Sequence, residues 1–182
     1  QKLLGLWARY EPFFYSLVPE SRKTNHYCKT LRATTWENAY EADAAGYYPA
    51  KRALEATSRG VFNDACNSLN KYRTLRMEMW AMNGRVEFRI HGGTINYKKI
   101  RQWLRLVLSL VGRVKTSTMG TTGRLPVKVR PLSRSTGFGP AYVLGALGMG
   151  PNGGVGTSEA TMPIYESLME WIPKRQRKFH PR

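Results

Sequence analysis

The segment with most chemical potential is Arg85-Val86-Glu87-Phe88-Arg89-Ile90-His91-Gly92-Gly93-Thr94. Val86, Phe88 and Ile90 alternate with Glu87, Arg89 and His91. Side chains alternate across a β-strand, so an extended backbone puts the carboxylate, the guanidinium and the imidazole on one face and the apolar residues on the other. A carboxylate two residues from an arginine can hold a divalent cation while the arginine neutralises a phosphate or a substrate carboxylate. The same spacing equally serves a solvated strand face carrying a cross-strand ion pair. Lone His26 and His180 carry no such pattern, and Gly150-Pro151-Asn152-Gly153-Gly154 lacks the Lys-Ser/Thr of a phosphate-binding loop.

The elements around this segment follow from periodicity. Leu75, Met77 and Met79 alternate with Arg76, Glu78 and Trp80, and Asn83-Gly84 separates them from the 86–91 run. Asn-Gly suits a type I′ turn, so residues 73–91 are predicted to form a tight β-hairpin. Leu3, Leu6, Trp7, Tyr10, Phe13, Phe14 and Leu17 recur at three- and four-residue steps, which predicts an amphipathic helix over 2–17. Pro12 is expected to kink or divide it and Pro19 to end it. Glu20–Arg32 reads as a polar loop. Short helices are expected at 35–45, 49–58 and 62–69. A long helix over 97–114 is predicted, with Ile100, Trp103, Leu104, Val107, Leu108 and Val111 as its apolar stripe.

Composition bounds the remainder. The chain has 182 residues, 29 Lys plus Arg against 12 Asp plus Glu, a net charge of +17, and 42% hydrophobic residues. That is enough for a core, and the charge points to polyanionic partners: nucleic acid, nucleotide phosphates or an acidic surface. Only Asp43 and Asp64 are aspartates, which argues against an all-protein calcium cage. Cys28 and Cys66, 38 positions apart, are expected to be free buried thiols. No apolar run approaches the roughly 18 residues of a membrane span. Ten of the 17 glycines fall between Gly120 and Gly156, among Pro126, Pro131, Pro140 and Pro151. This reads as a long irregular arm with apolar anchors. A short helix from Pro163 to Ile172 and a basic tail, Lys174-Arg175-Gln176-Arg177-Lys178, follow it. The chain opens directly inside an apolar periodic run, compatible with either trimming or cleavage of a longer precursor.

Two blocks carry a family resemblance. Lys71-Tyr72-Arg73-Thr74-Leu75, then Gly84 through Thr94, then Lys99-Ile100 and Trp103 resemble the amidoligase pattern R/K-Y…G-T-[IV]-E-F-R-x-H-x-G-T…K-I-x-x-W. Upstream, Leu17-Val18-Pro19-Glu20-Ser21-Arg22 continuing through Asn25 to Tyr27-Cys28 resembles the family's L-x-P-x-S-R-x-x-N-x-Y-C segment. The resemblance covers about residues 1–115.

It implies an α+β fold, an antiparallel sheet with packed helices forming part of a glutamine-synthetase-like ligase. It also implies an ATP- and Mg2+-dependent carboxylate–amine ligase that forms amide bonds. By this resemblance Glu87 is the metal ligand and Arg89 the phosphate or carboxylate contact. Arg22 and His91 join Arg89 as catalytic residues, and Asn25 and Thr94 join Arg89 in binding the cofactor. The chain departs from the family at Arg76, where Asn is usual, and at Arg85, where Thr is usual. The resemblance covers the family's C-terminal half. The glutamate pair and Gly-x-His-x-His segment of the first half have no counterpart here, which implies completion by an N-terminal segment or a partner chain.

The expected organisation is an amidoligase-like half-domain at 1–115, a Gly/Pro-rich arm at 116–160, and a short helix with basic tail at 161–182. The expected location is cytoplasmic. Charge supports an alternative: a non-catalytic basic component of a virion or other large assembly, reaching nucleic acid through its tail. Residues 1–112 hold 18 basic and 9 acidic side chains, and residues 113–182 hold 11 and 3, so the arm and tail are the more basic per residue.

Overall fold

A computed structural model describes residues 1–31, 51–69, 72–116, 139–149 and 162–179. The expected helix at 35–45 and most of the expected arm lie outside these residues. The described chain is mostly helical with one small antiparallel sheet, consistent with α+β.

Helix α1 spans Lys2–Ser16 and runs unbroken through Pro12. A proline inside a helix costs about 3 kcal/mol. Here the same helix buries Leu4, Trp7, Tyr10, Phe13 and Phe14, which outweighs that cost. Within the expected loop, residues 20–31 are not plain coil. A turn of helix, α2 (Glu20–Lys23), and a 3-10 turn (His26–Cys28) fold within them. The Asn25 side chain accepts from the Tyr27 amide at 2.7 Å, which starts that turn. Helices α3 (Lys51–Leu54) and α4 (Arg59–Ser68) follow, the latter capped by Ser58 accepting from the Val61 amide.

Strands β1 (Leu75–Arg76) and β2 (Glu87–Phe88) pair antiparallel, Leu75 with Phe88 and Arg76 with Glu87. The hairpin is not the tight one predicted. A turn of helix, α5 (Trp80–Asn83), bridges the strands, and Gly84 at φ +70° closes it. Asn-Gly thus serves its other use: glycine takes the left-handed conformation that ends a helix.

Helix α6 (Tyr97–Thr116) packs on α1, and α8 (Met162–Phe179) packs against both. The buried face of α6 is Gln102, Trp103, Leu106 and Leu110, so the predicted stripe is corrected. Ile100, Leu104 and Leu108 remain 38%, 51% and 65% exposed. Apolar residues cover more than one face of α6, and contact with α1 and α8 selects the Trp103–Leu106–Leu110 side. Gln102 donates to the hydroxyl and carbonyl of Ser167 on α8, which satisfies its burial. Helix α7 (Pro140–Ala146), within the expected arm, buries Val143 and Leu144 against α8. Helix α8 also exceeds its predicted end, continuing through Pro173 so that Lys174–Lys178 are helical. Cys28 and Cys66 are free and buried, as expected.

An aromatic chain crosses the core from sheet to helix. Phe88 meets Trp7 edge-on at 5.1 Å, Trp7 stacks on Phe14 at 4.4 Å, Phe14 meets Trp103 at 5.8 Å, and Trp103 lies 4.8 Å from the His91 ring. Each such pair adds about 0.5–1.5 kcal/mol beyond its buried area. Together they fix β2, α1 and α6 relative to the 91–94 turn.

Candidate functional site

The alternation predicted over 86–91 gives Ile90 to the core, with Val86 and Phe88 packed at its edge, and leaves Glu87 exposed. Glu87 and Arg89 do share a face: Arg89 Nε lies 3.1 Å from a Glu87 carboxylate oxygen. Arg76, opposite on β1, contacts the other Glu87 oxygen at 3.4 Å and Glu78 at 3.1 Å. The polar side of β2 is therefore an ionic cluster of two carboxylates and two guanidiniums. Such partly exposed pairs contribute little to stability, typically about 0–1 kcal/mol each.

His91 leaves this row. The ladder ends at Phe88, the backbone bends, and the His91 ring turns toward α6 and Trp103. It borders a cavity of about 260 Å³ with Phe88, Gly92, Thr94, Ile100, Trp103 and Leu104. Burial lowers the His91 pKa, and the positive charges of Arg175 and Arg22 push it the same way, while a hydrogen bond to the Gly92 backbone opposes them. The imidazole is neutral near pH 7.

Arg22 reaches this group from α2. Its guanidinium lies so close to Gly92 that a Cβ there would sit 2.9 Å from Nη2. It also donates to the Cys28 thiol at 3.8 Å, and that thiol contacts the Arg89 carbonyl at 3.1 Å. The upstream block and the β2 block thus converge through Arg22, Cys28, Arg89 and Gly92. Thr94 lines the cavity, and its hydroxyl accepts from the Asn96 amide at 3.2 Å. Asn25 has its side-chain oxygen engaged by the Tyr27 amide.

Sequence reasoning missed Glu11. This carboxylate is fully buried on α1 and accepts from the Leu31 amide at 3.0 Å and from the hydroxyls of Thr30 and Thr74. Trp7 Nε1 donates to the Thr74 hydroxyl at 3.0 Å, and the Thr74 carbonyl accepts the Arg89 amide at 2.8 Å. Glu11 therefore holds the backbone beneath Arg89. The available signal was spacing: Glu11 stands four residues after Trp7 and three before Phe14, inside the aromatic stripe.

Among the described residues no group of three or more His, Cys, Asp or Glu gathers where a metal could be held. Glu87 and Glu78 supply hard oxygen donors on either side of Arg76. Magnesium is usually held by one or two protein carboxylates with the rest of its shell from phosphates and water, and here the guanidiniums of Arg76 and Arg89 occupy the Glu87 oxygens that such an ion would need.

No curated protein and no solved structure matches the chain. The family model described as "Putative amidoligase enzyme" matches residues 1–111, more than half of the chain and all of the elements that carry Arg22, Glu87, Arg89, His91 and Thr94. The chain belongs to the amidoligase family.

Proposed function

We propose that this chain supplies the phosphate- and carboxylate-binding half of an ATP- and magnesium-dependent carboxylate–amine ligase within a glutamine-synthetase-like fold. Further carboxylates come from another segment or a partner chain. The observation that carries the reading is the convergence of both family blocks on one place: Arg22 against Gly92, and Cys28 against the Arg89 carbonyl.

In such a ligase a carboxylate is activated as an acyl phosphate, and an amine then displaces phosphate to leave an amide. ATP with magnesium supplies the phosphoryl group and neutralises its charge when bound. This chain's residues position and stabilise. Arg89 and Arg76 can exchange their bond to Glu87 for phosphate oxygens, which frees the Glu87 carboxylate for the cation. Arg22 stands by to orient the substrate carboxylate. Neutral His91 can accept a proton from the attacking ammonium, a role that suits an imidazole held uncharged near pH 7. Phosphoryl transfer depends chiefly on electrostatic positioning, which the guanidiniums of Arg76, Arg89 and Arg22 can supply.

The test is amine-dependent ADP formation by the completed protein. Glu87→Gln is expected to abolish it while leaving the melting temperature within a few degrees. Unchanged turnover would remove the metal role from Glu87.

A further inference from the structure

The cavity beside His91 has two unlike walls. One is polar: His91, the Gly92-Gly93 backbone and Thr94; the Arg22 guanidinium is not part of the lining but adjoins it by packing against Gly92. Among the described residues Arg22 makes no ion pair with a carboxylate; its hydrogen bond goes to a thiol. The lining includes no carboxylate. Arg175, on α8, brings a further guanidinium near His91, and its Nε is buried without a hydrogen-bond partner among the described residues. It stacks on the Phe179 ring at 4.4 Å, which holds the charge in place without neutralising it.

The other wall is apolar. Phe88, Ile100, Trp103 and Leu104 form it, and Ile100 and Leu104 stay 38% and 51% exposed although they flank the core. The pocket is open rather than enclosed, and its volume, about 260 Å³, falls just under the roughly 300–1,000 Å³ of drug-sized sites, enough to seat one small side group.

We infer that this cavity binds the carboxylate substrate and selects one bearing an apolar side group, with the carboxylate at Arg22 and Gly92-Gly93 and the side group against Phe88, Ile100, Trp103 and Leu104. The inference rests on the ligase reading and specifies its substrate class. A polar diacid would leave its second carboxylate facing this wall, unpaired. A compact acid such as acetate would leave the wall wet.

Tryptophan fluorescence and calorimetric titration of the full chain test this, with hexanoate, acetate, glutarate and hexanamide as probes. Hexanoate is expected to bind at least tenfold more tightly than each of the others. Leu104→Asp, at a half-exposed position, and Arg22→Gln, on a short surface helix, are each expected to weaken hexanoate at least tenfold with unchanged melting curves. Equal binding of hexanoate and acetate, equal binding of hexanoate and hexanamide, a preference for glutarate, or indifference to both variants would overturn the inference. ATP and magnesium are absent from these titrations. A failed preference therefore overturns the substrate class alone, whereas failure of nucleotide binding in a separate titration overturns the ligase reading.

Discussion

Arg22 and Gly92 touch across 70 residues of sequence: the guanidinium lies where the side chain of any larger residue at position 92 would begin, with Nη2 2.9 Å from an ideal Cβ. Glycine there leaves room for the guanidinium and is not needed for backbone freedom, because its φ is not in the left-handed region. Gly93 differs, since a Cβ there would meet nothing within 4 Å.

Gly92→Ala should therefore displace Arg22 at little cost to the fold, since the atom that must move ends a flexible side chain. The expected result is a melting temperature within about 2 °C of the parent and at least a tenfold loss of carboxylate or phosphate affinity. Gly93→Ala should change neither. Equal effects of the two substitutions would show that the Arg22–Gly92 contact is without consequence for binding.

Glu11 gives a stability prediction. Burial raises its pKa, and hydrogen bonds from Thr30, Thr74 and the Leu31 amide only partly offset that. The folded state then holds a proton that the unfolded chain releases above about pH 4.5, so this group's contribution to stability falls as pH rises past that point. Glu11→Gln should flatten this slope and be at least as stable as the parent at pH 7.5, because threonine hydroxyls can rotate to suit an amide. Glu11→Ala should lose about 1–3 kcal/mol by orphaning the Leu31 amide. Urea unfolding at pH 4.5 and 7.5 measures both. A parent protein more stable at 7.5 than its Gln variant would contradict the account.

His91 gives the opposite sign. Its pKa is lowered, first by burial and then by Arg175 and Arg22. The unfolded chain therefore takes up a proton near pH 6.5 that the fold resists, and stability from this group is lost as pH falls below that value. An NMR titration should place the His91 midpoint below 6.5, and Arg22→Gln and Arg175→Gln should each raise it. A midpoint at or above 6.5, or one indifferent to both arginines, would remove these charges from the surroundings of the ring.

The sequence carried local periodicity further than it carried the packing of one element on another. The alternation over 86–90 and the long helix after Tyr97 were legible because each has a single dominant period. The Asn83-Gly84 pair misled, because the residue requirement of a type I′ turn and of a left-handed helix cap is the same, and only the helical turn from Trp80 decides between them. The stripe on α6 misled because Ile100, Leu104 and Leu108 are as apolar as Trp103, Leu106 and Leu110, and the choice lies with α1 and α8. Arg175 stood in the sequence as one cation of a basic tail. Its place near His91 depends on α8 continuing through Pro173, which local propensity opposes.

The basic tail is also less free than its charge suggests. Lys174 pairs with Glu170 at 2.5 Å, Arg175 stacks on Phe179, and Lys178 lies 5.8 Å from the same ring, while Lys174, Arg177 and Lys178 all remain exposed.

Equilibrium binding of ATP to the full chain, with and without magnesium, tests the central claim most directly. The ligase reading predicts binding that magnesium strengthens, that Arg89→Gln weakens at least tenfold, and that loses its magnesium dependence in Glu87→Gln. Absence of binding, or binding with the same affinity and magnesium response in both variants, would contradict it.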